Sequence, residues 1–292
     1  MRIALIGRAT LYTIPGGDTV QITQTARQLN QLGVMAKVCL SHSSIDVNAF
    51  DLFHFFNITR PADILPYLRK IRQPYVVSPV YIDYSEYDRW HRKGLSGALL
   101  RPFSSTRIEY IKTLGRAIKG NDRLPGFEYL WKGQEKSIRK ILAGAACILP
   151  NSSLELEQIR LLGIHQSAWI IPNGIDNRVF GMRDNEKEKD LVLCAARIEG
   201  IKNQLNLIRA LNHCGKQVVL AGAATPNQQS YFQKCKKEAA DNIIFTGRLD
   251  QAALSRYYDR ARVHVLPSWF ETCGLSSLEA AAMGCNIVIT AK

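Results

Sequence analysis

Short apolar runs alternate with longer amphipathic stretches from one end of the chain to the other. Residues 2–6, 36–40, 52–56, 75–78 and 147–150 are strand-length and apolar, while 19–32, 61–71, 105–119, 127–143 and 153–162 carry helical spacing. Gly33 stands where the first helix should close, Ser153 is placed to cap the last, and 169–171 is expected to finish the sheet. Apolar strands separated by helices predict a parallel sheet covered on both faces. The rhythm returns further on, with strands expected at 191–195, 217–221, 243–245, 263–266 and 286–290, and helices ending at Leu211, over 251–260 and over 278–283. Between the two series lie the turn Asn173-Gly174 and the charged stretch 183–190. The expectation is an α/β protein of two domains, 1–175 and 176–292, without an internal repeat by identity.

A length of 292 residues and 46% hydrophobic content suffice for two such domains. The charge is less ordinary. Lys and Arg number 38 against 25 Asp and Glu, and residues 89–140 hold 13 of the former against 4 of the latter. Such a patch suits anionic lipid, a polyprenyl diphosphate or nucleic acid; a solvated helix face also accounts for it. Aromatics interleave with these cations (Trp90, Phe103, Tyr110, Phe127, Tyr129, Trp131), as they do in nucleic-acid binders, but the helical spacing places them on helices. The seven cysteines show no CxxC pair and sit mostly in apolar runs, which fits buried thiols in a reducing compartment, and a cytoplasmic location is the expectation. No cleavage pattern follows the first apolar run, and no run approaches the roughly eighteen residues of a membrane span.

Candidate chemistry gathers where strands give way to helices. The stretch from Leu266 to Gly284 leaves an apolar strand, passes Glu271 in a loop and enters an Ala-rich helix carrying Glu279. An anion is favoured at such a helix start by free N–H groups and the dipole. Two carboxylates flanking it are better explained by contacts to hydroxyls. Arg197 follows the strand 191–195, and Lys202 is expected to start the next helix, so both cations can converge on one anion. Two unrelated surface cations are the plainer reading of that pair alone. Gly16-Gly17 precede the first helix and let the backbone approach a ligand, with Asp18 or Thr19 available as caps; an ordinary tight turn explains them equally. Asp83 lies just beyond the strand 75–78, as a reactive group or a loop cap, and His54 within Phe53-His-Phe-Phe56 reads first as a satisfied core residue.

Glu271 and Glu279, spaced E(x7)E around Gly274-Leu275 and followed by Ala280 and Gly284, resemble the donor-site signature of the retaining glycosyltransferases with two Rossmann-like domains, family 4 of the GT-B fold. Arg197 and Lys202 match that family's Arg(x4)Lys pair, and Pro172-Asn-Gly-Ile-Asp176 resembles its passage into the second domain. The resemblance implies two Rossmann-like domains, the second incomplete, because the family's further strands and its returning terminal helix have no counterpart before Lys292. It implies a nucleotide-sugar donor, UDP- or GDP-linked, and transfer with retention to a glycan or lipid-linked acceptor. Gly16, Gly17, Arg197, Lys202, Leu275 and Ser276 would hold the diphosphate, Glu271, Cys273 and Gly274 the sugar, and Glu279 the ribose. Arg248 and Leu249 would line the base pocket, and Asp83 and Glu271 would be the catalytic pair. No cofactor and no metal are expected, the two cations and the helix start neutralising the leaving group. The basic region would meet the inner face of an anionic membrane, and no nucleic acid is expected. Two alternatives stand beside this: a nucleotide-sugar epimerase of the same architecture, and a non-catalytic nucleotide-sugar or nucleic-acid binder.

Overall fold

A computed structural model describes residues 1–81, 108, 110, 111, 113, 115, 126–271 and 274–290. The chain divides into two compact units at Asn173 and Gly174. In the first, β1 (Arg2–Gly7), β2 (Met35–Leu40), β3 (Leu52–Phe56), β4 (Tyr75–Ser78) and β5 (Cys147–Ile148) form one parallel sheet in the order β2-β1-β3-β4-β5. Its described helices are α1 (Gly17–Gln31), α2 (Pro61–Leu68), α3 (Phe127–Ala143, broken at Gly133) and α4 (Ser153–Leu161). The period of two along a strand decides which layer each side chain joins. Ala4, Ile6, Phe53 and Phe55 pack into one core, whereas Ile3, Leu5 and Phe56 pack with Ile22 into the other. Because both faces are covered, these strands read as unbroken apolar runs.

His54 behaves as its neighbours demand. Its Nε2 lies 2.9 Å from Ser78 Oγ, its ring stacks on Phe56 with centroids 4.1 Å apart, and burial pushes its pKa down to about 3. It is a satisfied, neutral core histidine. Two local expectations are corrected. Residues 169–171 do not form a strand: Ala168 bridges Ile148, and Trp169 N and Ile171 N donate to Ile148 O and Pro150 O at 2.9 and 2.8 Å, but β5 ends at Ile148 and Pro150 has no N–H to return a bond. Ser152 caps α4 in place of Ser153, its Oγ accepting from Glu155 N at 3.1 Å.

The second unit repeats the architecture. Strands β6 (Glu188–Ala195), β7 (Gln217–Ala221), β8 (Ile243–Gly247), β9 (Ala261–Leu266) and β10 (Asn286–Ile289) are parallel in the order β10-β9-β6-β7-β8. Helices α5 (Gln204–Leu211), α6 (Gln229–Glu238), α7 (Gln251–Arg260) and α8 (Leu275–Ala282) connect them. The strand β6 begins three residues before the apolar run. Its charged start stays exposed, where Glu188 pairs with Arg260 at 2.6 Å. In each sheet the first strand sits between neighbours reached by crossovers in opposite directions. That leaves a topological switch point, and a crevice, at the carboxyl ends between β1 and β3 and between β6 and β9.

Candidate active site

The crevice beyond β6 and β9 collects most of the expected donor residues. Past Ala195 the chain stays bonded to the end of β7, Ala196 N donating to Ala221 O at 3.0 Å and Ile198 N to Ala223 O at 3.1 Å. Only glycine fits at position 222, since a Cβ there would lie 1.9 Å from Ala196 O. Next comes a single 3-10 turn, Gly200–Lys202, closed by Asn203 in the left-handed region at φ 60°. Lys202 therefore precedes α5 and does not start it. The reason is Asn203, whose left-handed backbone interrupts the helix between the two. The buried Gln204 side chain donates to Arg197 O at 2.8 Å and pins the entry to this loop.

A backbone bond from Trp269 N to Ile201 O, 2.8 Å, joins the loop after β9 to the loop after β6. It brings the next charged residue of each loop into register. Lys202 Nζ lies 2.5 Å from Glu271 Oε2, with side chains 17% and 31% exposed, and Ser268 Oγ is 3.4 Å from the same oxygen. Arg197 pairs within its own loop, with Glu199 at 3.0 Å, while 43% exposed. The helix α8 opens beside this pair, three residues earlier than its apolar pattern indicates, because Gly274 at φ 50° turns the chain into it. A Cβ at Gly274 would touch Glu271 Cγ and Ser277 Oγ, each at 3.4 Å. The first backbone N–H groups of α8, at Leu275 and Ser276, have no carbonyl within the helix to bond. Ser277 Oγ is buried without a hydrogen-bond partner among the described residues.

One turn along α8, Glu279 is half-buried, and Tyr258 OH donates to its Oε2 at 3.3 Å. Burial raises its carboxyl to about 7, an effect the Tyr258 bond only partly offsets. Tyr258 is itself fully buried, edge-on to Phe180 and His264. Leu249 packs on the core that Tyr258 and Ala280 share, whereas Arg248 is exposed beyond the glycine turn of β8. Lys202, Glu271, Gly274, Leu275, Ser276 and Glu279 thus line one strand-end region. Asp83 and Cys273 lie outside the described residues. Ser268, Ser277 and Tyr258 were not singled out from sequence. Serines in loops and a tyrosine on an amphipathic helix carry no signal until their neighbours are known.

In the first unit, Gly16 precedes and Gly17 begins α1, beyond β1. Neither Asp18 nor Thr19 caps in the expected sense. Arg8 grips Asp18 with Nε at 2.6 Å from Oδ2 and a second guanidinium nitrogen at 3.1 Å from Oδ1. Thr19 Oγ1 instead accepts from Gly16 N at 3.0 Å. Arg8 also bonds Thr10 O, Thr10 Oγ1 and Ile14 O, which holds the glycine turn in shape. Burial would raise Asp18, but the Arg8 bonds and charge, helped by Asn57 and Thr19 N, keep it below the usual carboxylate value. A buried glutamate stands at the far end of this sheet: Glu155 accepts from Tyr81 N at 2.6 Å and Asn151 N at 2.5 Å, tying together the segments after β4 and β5.

Two five-stranded parallel sheets, each switching direction at its first strand, define the GT-B class of glycosyltransferase folds. The whole-chain likenesses agree with that class. Sucrose-phosphate synthase from Thermosynechococcus elongatus is 15% identical with a TM-score of 0.73, over 99% of this chain and 80% of that one. An Anabaena protein solved with UDP and glucose is also 15% identical over the same shares, with a TM-score of 0.64. Residues 189–292 match the model of the family Glycosyl transferases group 1. Among curated relatives, the poly(glycerol-phosphate) alpha-glucosyltransferase of Bacillus subtilis is 24% identical over 179 residues, 59% of this chain and 26% of that protein. The glycogen synthase of Mycobacterium tuberculosis is 33% identical over 126 residues, 41% of this chain and 30% of that protein. The chain therefore spans about a quarter to a third of these relatives' length.

Proposed function

We propose that this protein transfers a sugar from a nucleotide-diphosphate sugar to a glycan or lipid-linked acceptor, with retention at the anomeric carbon. The observation that carries the reading is the Lys202–Glu271 pair at the β6/β9 switch point, with the open start of α8 beside it and Glu279 one turn on. The anion-binding groups and the hydroxyl-binding groups are then adjacent, in the order that a diphosphate bonded to a sugar and a ribose requires. Lys202, joined by Arg197 once it leaves Glu199, takes the diphosphate together with the N–H groups of Leu275 and Ser276. Glu271 exchanges part of its contact with Lys202 for hydroxyls of the donor sugar, helped by Gly274 and Cys273. Glu279 receives the ribose hydroxyls, and Arg248 and Leu249 border the base.

In the transfer step the bond from the anomeric carbon to the diphosphate oxygen breaks as the acceptor hydroxyl bonds to the same face. The acceptor's proton passes to the departing phosphate oxygen, and Arg197 and Lys202 stabilise the charge that develops there. Asp83 acts on the acceptor side, and Gly16 and Gly17 belong to the diphosphate contacts, as the family resemblance implies. The solved Anabaena relative carries UDP and glucose, which makes UDP-glucose the first donor to try. Contact with anionic lipid through residues 89–140 draws support from α3, where Phe127 and Trp131 are 78% and 83% exposed beside Lys132.

The test is direct. Incubation with UDP-, GDP- and ADP-sugars should show affinity for one donor and slow release of its sugar to water. Lys202→Ala and Glu279→Ala should each abolish that affinity. Retained donor binding in both variants would remove the site. Affinity without any turnover would favour the non-catalytic binder, and tight, salt-sensitive binding of oligonucleotides the nucleic-acid one.

A further inference from the structure

One buried carboxylate in the first unit takes no part in the donor chemistry. Glu155 is 4% exposed, and each of its oxygens is occupied, Oε1 by Tyr81 N at 2.6 Å and Oε2 by Asn151 N at 2.5 Å. A glutamate three residues after an N-cap serine ordinarily turns back to that serine's own N–H. Glu155 reaches beyond Ser152, to the residue before it and, across 74 positions of sequence, to the chain leaving β4. Two N–H donors on two oxygens call for a carboxylate, because an amide in its place would turn its own NH2 on one of them. Burial raises the Glu155 carboxyl, and the two N–H bonds oppose that rise by favouring the ionised form.

The chain it holds is strained at the point of contact. Up to Pro79 the segment after β4 is still bonded to the segment after β3, Asn57 N donating to Ser78 O at 3.1 Å and Ile58 N to Pro79 O at 2.8 Å. It then turns at Val80, which has φ 45°. A β-branched residue in the left-handed region crowds its own backbone, so the conformation persists only where the surroundings impose it. Here Asn57 and Ile58 fix the residues before Val80, and Glu155 fixes the N–H of the residue after it. The clasp is anchored at its other end as well: Asn151 is 6% exposed, and its Oδ1 accepts from Gln21 Nε2 of α1 at 2.8 Å.

We propose that Glu155 is a positioning residue of the transfer step: it holds Val80 in the left-handed turn and so sets the direction in which the chain leaves β4 for Asp83, two residues beyond Tyr81. The role of Asp83 rests on the transferase reading; the clasp does not. Hydrogen exchange and donor turnover test the two halves separately. In Glu155→Gln the Tyr81 amide should exchange at least about tenfold faster, while the amides of β4 keep their protection and certify a folded unit. Release of glucose from UDP-glucose to water should slow about ten- to a hundredfold in kcat. UDP affinity should stay within about twofold. Val80→Gly removes the penalty of the turn, so it should turn over as the wild type does and, added to Glu155→Gln, restore most of the lost rate. If β4 also loses protection in Glu155→Gln, the double variant must regain both protection and rate. Unchanged exchange at Tyr81, an unchanged kcat, or a loss that Val80→Gly does not restore would each overturn the proposal. Wild-type protein without affinity for any nucleotide sugar would sink the transferase reading, and exchange at Tyr81 would still decide the clasp.

Discussion

Both sheets place a cation–carboxylate pair just beyond their first strand, and the two pairs are built for different ends. Arg8 and Asp18 are 9% and 11% exposed, bonded at two points, and every remaining direction of the guanidinium is taken by Thr10 or Ile14. Lys202 and Glu271 meet through one contact and stand more open at 17% and 31%, and Lys202 shares its loop with Arg197, which is 43% exposed. The first pair has nothing left to offer a ligand and shapes a turn. The second is only partly satisfied, so a diphosphate and a sugar can replace what each member gives the other. Satisfaction within the fold, more than the presence of charge, separates scaffold from site.

The largest effect should come from breaking the closed pair. Arg8→Ala leaves Asp18 buried without its cation and should cost about 3–5 kcal/mol in the unfolding of the first unit, measured by urea titration. Asp18→Leu added to Arg8→Met should recover much of that; no recovery would mean that the turn itself, and not the uncompensated charge, was lost. The open pair should respond in the opposite sense. Lys202→Ala should cost about 1 kcal/mol or less in stability, yet lower nucleotide-sugar affinity at least about a hundredfold by calorimetry. A comparable stability loss at both positions would erase the contrast.

Acidity sharpens it further. Burial pushes the Glu279 carboxyl up to about 7 against an ordinary 4.5. Between those values the folded chain holds more protons than the unfolded one, so this group's contribution to stability falls as pH rises from about 4.5 to 7. On the proposed reading, ribose hydroxyls would donate to the ionised form. UDP-glucose affinity should therefore rise about tenfold between pH 6 and 8, and Glu279→Gln should flatten that profile. The smallest effect is expected at Tyr258→Phe. Without the hydroxyl that donates to Glu279 the carboxyl titrates higher still, and the pH midpoint of UDP-glucose binding should move up by less than about one unit. A midpoint that moves down would mean that Tyr258 does not donate to this carboxylate.

Much of this architecture was legible beforehand. The strands Leu52–Phe56 and Tyr75–Ser78 stand where their apolar runs end, since a strand covered on both faces must be apolar throughout. Elements whose limits depend on single backbone angles or on a neighbour were not. Asn203 in a left-handed conformation puts Lys202 ahead of its helix, Gly274 starts α8 three residues early, and Pro150 stops the strand that 169–171 would have extended. Of the candidate site, the E(x7)E and Arg(x4)Lys spacings marked Glu271, Glu279, Arg197 and Lys202. The close approach of Lys202 to Glu271 was not readable, because 69 residues separate them and a backbone bond between two loops sets their register.

By itself the amino-acid order determined the alternation of strands and helices, the two parallel sheets, and the residue types waiting at the strand ends. Those properties follow from local periodicity and burial, which act within a few turns of chain. Only the tertiary structure decided which charges are spent inside the fold and which stay open, that Glu279 is held near neutrality by burial beside Tyr258, and that Glu155 clasps the segments after β4 and β5. Solvation and pairing are properties of the surroundings of a group, and crossovers assemble those surroundings from distant segments of the chain.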